Sequence, residues 1–150
     1  MSSITVLGST GSIGVQTLDV IARHPERFSV FALTAYRHVE RLFQQCCDFK
    51  PAYAVMVDEV AAKQLSNQIK AAGLKTVVLS GSHVLEQVAA DDHCDVVMAA
   101  IVGAAGLSAT MSAVIAGKRV LLANKEALVM AGVLMTEAAQ ASGAEILPVD

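Results

Sequence analysis

Short, nearly unbroken aliphatic runs alternate along the chain with segments in which apolar residues return every three or four positions. The runs fall at residues 4–7, 28–33, 53–57, 76–79, 96–100, 120–123 and 146–149. Runs this short, without polar alternation, predict strands buried on both faces. Between them, Val15, Leu18 and Ala22 share one helical face. So do Val39, Leu42, Phe43 and Cys46, then Ala61, Leu65 and Ile69, then Leu107, Met111, Val114 and Ile115. Pro25 is placed to stop the first helix after His24, and Gly73 and Gly143 to end the third and the last. Strand and helix in alternation predict βαβ units, whose right-handed crossovers make neighbouring strands parallel. The expectation is one α/β domain over residues 1–150, a doubly wound, mainly parallel sheet of about seven strands with helices on both faces.

Composition agrees with this picture. With 54% hydrophobic residues, six aromatics and no Trp, the core has to be filled by Ala, Val, Leu, Ile and Met, which suits helices packed closely on a sheet. A net charge of -3 and the lack of any block of Lys or Arg speak against nucleic acid or an anionic membrane as partner. The longest apolar stretch, residues 96–107, has 12 residues including two Gly. A bilayer span needs roughly 18 to 20. Because residues 4–7 already read as a strand, no secretory leader is expected and the protein is placed in the cytoplasm. Cys46, Cys47 and Cys94 have neither metal-ligand nor disulfide spacing and read as reduced thiols, Cys46 as a small buried hydrophobe. The abrupt end at Asp150, directly after a predicted strand, reads as a longer protein cut short.

Candidate chemistry starts with Gly8-Ser9-Thr10-Gly11-Ser12-Ile13-Gly14, which follows the first strand and opens the first helix. Glycines there allow a tight turn and a close backbone approach, while free N–H groups and the helix dipole attract a diphosphate. This is the place of the phosphate loop in a Rossmann-type fold, although the spacing is G-x-x-G-x-x-G rather than G-x-G-x-x-G. An ordinary strand-to-helix turn is the alternative. NAD sites carry Asp or Glu near the end of the second strand; this chain has Leu33-Thr34-Ala35-Tyr36-Arg37-His38. A guanidinium at Arg37 suits the 2′-phosphate of NADP, against the reading of a solvated strand-end charge. After the sixth strand, Asn124, Lys125 and Glu126 belong to the same sheet edge, as ligand contacts or as helix caps. The small residues 100–105 suit the nicotinamide side or simple core packing. His24, His83 and His93 are assigned no chemistry.

Four segments in order, G-S-T-G-S-I-G at 8–14, M-A-A-I-V-G-A-A-G-L at 98–107, A-N-K-E-A-L-V at 123–129 and L-P-V-D at 147–150, carry a resemblance. Together they resemble the N-terminal part of the 1-deoxy-D-xylulose 5-phosphate reductoisomerase family, across the whole chain. The resemblance implies that Thr10, Gly11, Ser12 and Ile13 hold NADPH phosphates, that Arg37 meets the 2′-phosphate, and that Asn124 and Glu126 also contact NADPH. It implies that Lys125 binds the sugar-phosphate substrate, and that Asp150 is the first of three carboxylate ligands for Mg²⁺, Mn²⁺ or Co²⁺. The implied activity of the full-length enzyme is rearrangement and NADPH-dependent reduction of 1-deoxy-D-xylulose 5-phosphate to 2-C-methyl-D-erythritol 4-phosphate, in non-mevalonate isoprenoid biosynthesis, by a homodimer. With the other two carboxylates, the catalytic domain and the C-terminal domain absent, these residues are expected to bind NADPH without turnover. The pattern departs at Tyr36, where many members carry Gly, and at His38, where many carry Asn. A different NADP dehydrogenase, of semialdehyde or homoserine type, and a non-catalytic NADP-sensing module are the alternatives.

Overall fold

In a computed structural model of the chain, residues 1–123 and 125–149 are described, Ala105 and Lys125 by their backbone alone. The chain runs β1 (Ser2–Leu7), α1 (Ser12–Arg23), β2 (Phe28–Ala35), α2 (Val39–Phe49), β3 (Tyr53–Met56), α3 (Glu59–Ala71), β4 (Val77–Ser80), α4 (His83–Ala90), β5 (Val96–Ala99), α5 (Gly103–Ile115), β6 (Arg119–Leu122), α6 (Lys125–Ser142) and β7 (Glu145–Pro148). Each expected strand is present within two residues of its expected bounds. The first starts earlier, at Ser2, because Ser2 N–H donates to the Arg27 carbonyl and Ser3 N–H to an Asp95 carboxylate, both at 2.9 Å. The alternation called for a helix between the runs at 76–79 and 96–100, but the eight-residue α4 is too short for its apolar positions, Val84, Leu85, Val88 and Ala89, to set up a clear period of their own.

All seven strands are parallel, in the order β4-β3-β2-β1-β5-β6-β7. The chain therefore winds outward from β1 to β4, returns across β1, and winds outward again from β5. The order reverses between β1 and β5, and every strand delivers its carboxyl end to the same edge. Alternate strand residues feed two cores. Ile4, Val6, Leu33, Ala54 and Met56 pack with Leu18, Leu42, Cys46, Leu65 and Ile69 of α1–α3. On the other face, Leu7, Val55, Val97, Ala99, Val120 and Leu122 pack with Val88, Ala113, Val114 and Met135 of α4–α6.

Helices thus lie on both faces, but their cover is uneven. On the α1 side of the sheet, toward β6 and β7, Ile13, Val20, Met98, Leu121, Leu147 and Val149 line an open apolar groove of about 410 Å³. Helix α6 carries non-helical backbone at Ala131 (φ -137°, ψ 21°), and around it Val129, Met130, Val133 and Leu134 are exposed. No helix among the described residues is long and apolar enough to cross a membrane.

The three cysteines are free thiols, Cys46 and Cys94 buried and Cys47 half-buried. Burial, with the neighbouring Cys47, pushes the Cys46 thiol up to about 12, and burial pushes Cys94 up against opposing hydrogen bonds with Thr5. At pH 8 only about one Cys46 in ten thousand is then thiolate, the form that reacts. Treatment of the native chain with iodoacetamide at pH 8 is expected to add one group, at Cys47, with Cys46 and Cys94 following only in denaturant. Intact-mass and peptide analysis reads the order; early modification of Cys46 would contradict this packing.

Candidate functional site

The crevice at the reversal between β1 and β5 is built almost entirely from backbone. Gly8 leaves β1 with φ +81°, and a Cβ there would sit 3.0 Å from the carbonyl oxygen of Ala100, on the loop after β5. Gly14 lies in the first turn of α1, where a Cβ would run into the Gly8 carbonyl oxygen and come 2.6 Å from the Ser9 Cα. Both positions are glycine for reasons internal to the fold. Gly11 differs. It is the N-cap of α1 with ordinary dihedrals (φ -78°, ψ 174°), it is exposed, and its missing Cβ would meet only the Gly8 carbonyl at a comfortable 3.8 Å. Among the described residues, none fills the space that Gly11 leaves open.

That space faces the start of α1. No side chain caps this helix and its first turn holds no acidic residue. By contrast, α2 and α3 are capped by His38, which accepts from Arg41 N–H, and by Asp58, which accepts from Ala61 N–H. The first N–H groups of an uncapped helix need an outside acceptor, and the helix dipole favours an anionic one. Helix α5, after Val102 on the other wall of the crevice, also starts without a side-chain cap.

The loop between is held rigidly by residues that sequence reasoning missed. Ser9 is fully buried, so its hydroxyl is not a ligand donor. It donates to the Gln45 Oε1 at 2.8 Å, while Gln45 Nε2 donates back to the Ser9 carbonyl at 2.9 Å. Gly8 N–H donates to the buried Thr34 Oγ1 at 2.9 Å, and Ser9 N–H to the Thr34 carbonyl at 2.8 Å. Arg41 Nη1 donates to the Thr10 carbonyl at 3.2 Å. The partners are 25 to 36 positions apart, so no local pattern announces them.

Of the expected contacts, Thr10 is half-buried, Gly11 and Ser12 are exposed, and Ile13 turns its side chain into the α1 core, leaving its N–H for a ligand. Arg37 is exposed past the end of β2, its guanidinium carbon 5.9 Å from the centroid of the exposed Tyr36 ring. Neither Arg37 nor Arg41 has a carboxylate within ion-pairing distance among the described residues. Lys125 begins α6 and Glu126 sits exposed in its first turn, as the helix dipole favours. Asn124, Asp150 and the side chain of Lys125 lie outside the described residues. Among the described residues no three His, Cys, Asp or Glu side chains gather as metal ligands would. Strand order alone places the candidates in a row: Arg37 after β2, the glycine loop after β1, residues 100–103 after β5, and residues 125 and 126 after β6. At about 4.8 Å per strand, the row from β2 to β6 is about 14 Å long.

Residues 4–132 match the family model of 1-deoxy-D-xylulose 5-phosphate reductoisomerase. The chain belongs to the 1-deoxy-D-xylulose 5-phosphate reductoisomerase family. Over all 150 residues it is 59% identical to the reductoisomerase of Aromatoleum aromaticum and 60% identical to that of a Janthinobacterium species. It spans 37% and 38% of the length of these curated relatives. A reductoisomerase crystal structure in complex with NADPH, fosmidomycin and magnesium superposes with a TM-score of 0.94 at 47% identity, over 99% of this chain and 36% of that one. The Zymomonas mobilis reductoisomerase in complex with NADPH gives 0.93 at 43% identity, over 99% of this chain and 38% of that one. The biliverdin reductase of Synechocystis, at 15% identity and a TM-score of 0.60, shares the fold alone.

Two glycine substitutions separate fold from site. Gly14→Ala forces a methyl group onto the Gly8 carbonyl and should cost about 1–3 kcal/mol. Gly11→Ser supplies a good N-cap and should leave stability within about 1 kcal/mol of wild type. Urea denaturation of both variants measures the contrast; equal losses would show that Gly11 too is needed by the fold.

Proposed function

We propose that this chain is the NADPH-binding portion of a 1-deoxy-D-xylulose 5-phosphate reductoisomerase. The observation that carries the reading is the open, uncapped start of α1 at Gly11, with the guanidinium of Arg37 one strand away and, among the described residues, in no ion pair with a carboxylate. The residues fit the nucleotide: Gly8 and Gly14 form a cradle that side chains would fill, and the amides of Gly11, Ser12 and Ile13 are there for a diphosphate. That two structural neighbours are complexes with NADPH supports this nucleotide as the ligand.

In this reading the dinucleotide lies along the row of strand ends. Arg37 receives the 2′-phosphate, Thr10 to Ile13 receive the diphosphate, and the small residues after β5 admit the nicotinamide. Asn124 and Glu126 complete the contacts, and Lys125 is assigned the sugar-phosphate substrate, which its positive charge suits. When bound, NADPH supplies the hydride that reduces the rearranged substrate. The chain's own part is to fix the nucleotide and, through a crevice made of backbone, to bring the ring against the substrate side. Asp150 is assigned to the divalent metal. One carboxylate does not make a metal site, and further oxygen ligands would have to complete it. The longer protein would convert 1-deoxy-D-xylulose 5-phosphate to 2-C-methyl-D-erythritol 4-phosphate, whereas these 150 residues bind nucleotide without turnover.

Arg37→Asp tests the reading. The change reverses the charge that meets the 2′-phosphate, so NADPH should lose on the order of 100-fold in affinity while NADH, which has no such group, changes by less than about fivefold. Nicotinamide fluorescence titrations with both nucleotides measure this, and equal losses would refute the assignment of Arg37.

A further inference from the structure

Arg41 stands one helical turn beyond Arg37, in the first turn of α2, and its guanidinium already touches the glycine loop through the Thr10 carbonyl at 3.2 Å. That bond uses one of five N–H donors. No carboxylate lies within 4.0 Å of it among the described residues, so the charge is not spent on a partner. Its backbone is fixed as well, since Arg41 N–H donates to His38 Nδ1, the ring that follows Arg37 in the chain, at 3.4 Å. An exposed arginine ordinarily samples many rotamers; here one end is tethered, which lowers the entropy lost on binding an anion.

We propose that Arg41 is a second cationic ligand for the 2′-phosphate of the nucleotide and joins that phosphate to the diphosphate loop. The proposal rests on the NADPH reading above. A phosphomonoester carries about -1.5 to -2 charges at pH 7, more than one guanidinium balances. Arg37 leaves β2 and Arg41 opens α2, so both cations border the space beyond the carboxyl end of β2, which neighbours β1 and its loop. By covering the Thr10 carbonyl, Arg41 also screens a partial negative charge in a loop that has to receive an anion.

Arg41→Ala and Arg41→Gln, each titrated with NADPH and NADH, decide between charge and mere anchoring. Glutamine keeps a donor for the Thr10 carbonyl but no charge. Both variants should weaken NADPH on the order of tenfold or more and NADH by less than about threefold, retained NADH binding showing that the loop is intact. If glutamine restores wild-type affinity for NADPH, if both nucleotides weaken equally, or if neither weakens, Arg41 only holds the loop and the proposal fails. A wild-type chain that binds neither nucleotide would instead sink the cofactor reading, and this proposal with it.

Discussion

The closure of the glycine loop onto itself is the constraint on which the rest depends. Helix α1 must begin close enough to β1 for Gly14 to touch the Gly8 carbonyl, and any side chain at Gly14 would push the two apart. The tightness puts the start of α1, with its unsatisfied N–H groups, directly over the strand end instead of out in solvent. A turn this tight cannot satisfy its own polar groups. Thr34 and Gln45 do it instead, one from the neighbouring strand and one from the following helix, so the loop is buried at Ser9 and open at Gly11, two residues on.

Helix α2 then has a role beyond covering the sheet. Gln45 holds the Ser9 carbonyl and Arg41 the Thr10 carbonyl, so two successive acceptors of the loop are turned to protein donors. With its carbonyls engaged, the loop offers an incoming anion mainly N–H groups. Preorganised donors of this kind cost little reorganisation on binding, which suits the backbone to the proposed anionic ligand without any lysine or arginine within the loop itself.

Much of this was legible in the sequence, and the failures have a common cause. Seven aliphatic runs gave seven strands, and Arg37 could be singled out as a candidate because its reading depends on its distance from the end of a strand that the pattern already defined. Pro25, Gly73 and Gly143 were read correctly as helix stops, since α1, α3 and α6 end just before them. Gln45, Thr34 and Arg41 were missed because their roles are contacts between positions far apart in the chain, and each in isolation looks like an ordinary polar residue. Ser9 was read as part of a ligand loop without its burial, since solvent exposure within a glycine turn depends on what packs behind it. For Asn124 and Asp150 the sequence remains the whole basis of the assignment.

The same construction recurs across the crevice, which explains why the segment after β5 is so rich in small residues. A Cβ at Gly106 in α5 would run into the Ile101 carbonyl, as one at Gly14 would run into that of Gly8, and both helices start without a side-chain cap. Both walls of the reversal point are therefore backbone pressed on backbone. A side chain at Gly8 would strike the Ala100 carbonyl and the Ile101 side chain and hold the loops after β1 and β5 apart. Gly8, Gly14 and Gly106 thus answer one demand, the close approach of main chains at the point where the sheet reverses its order.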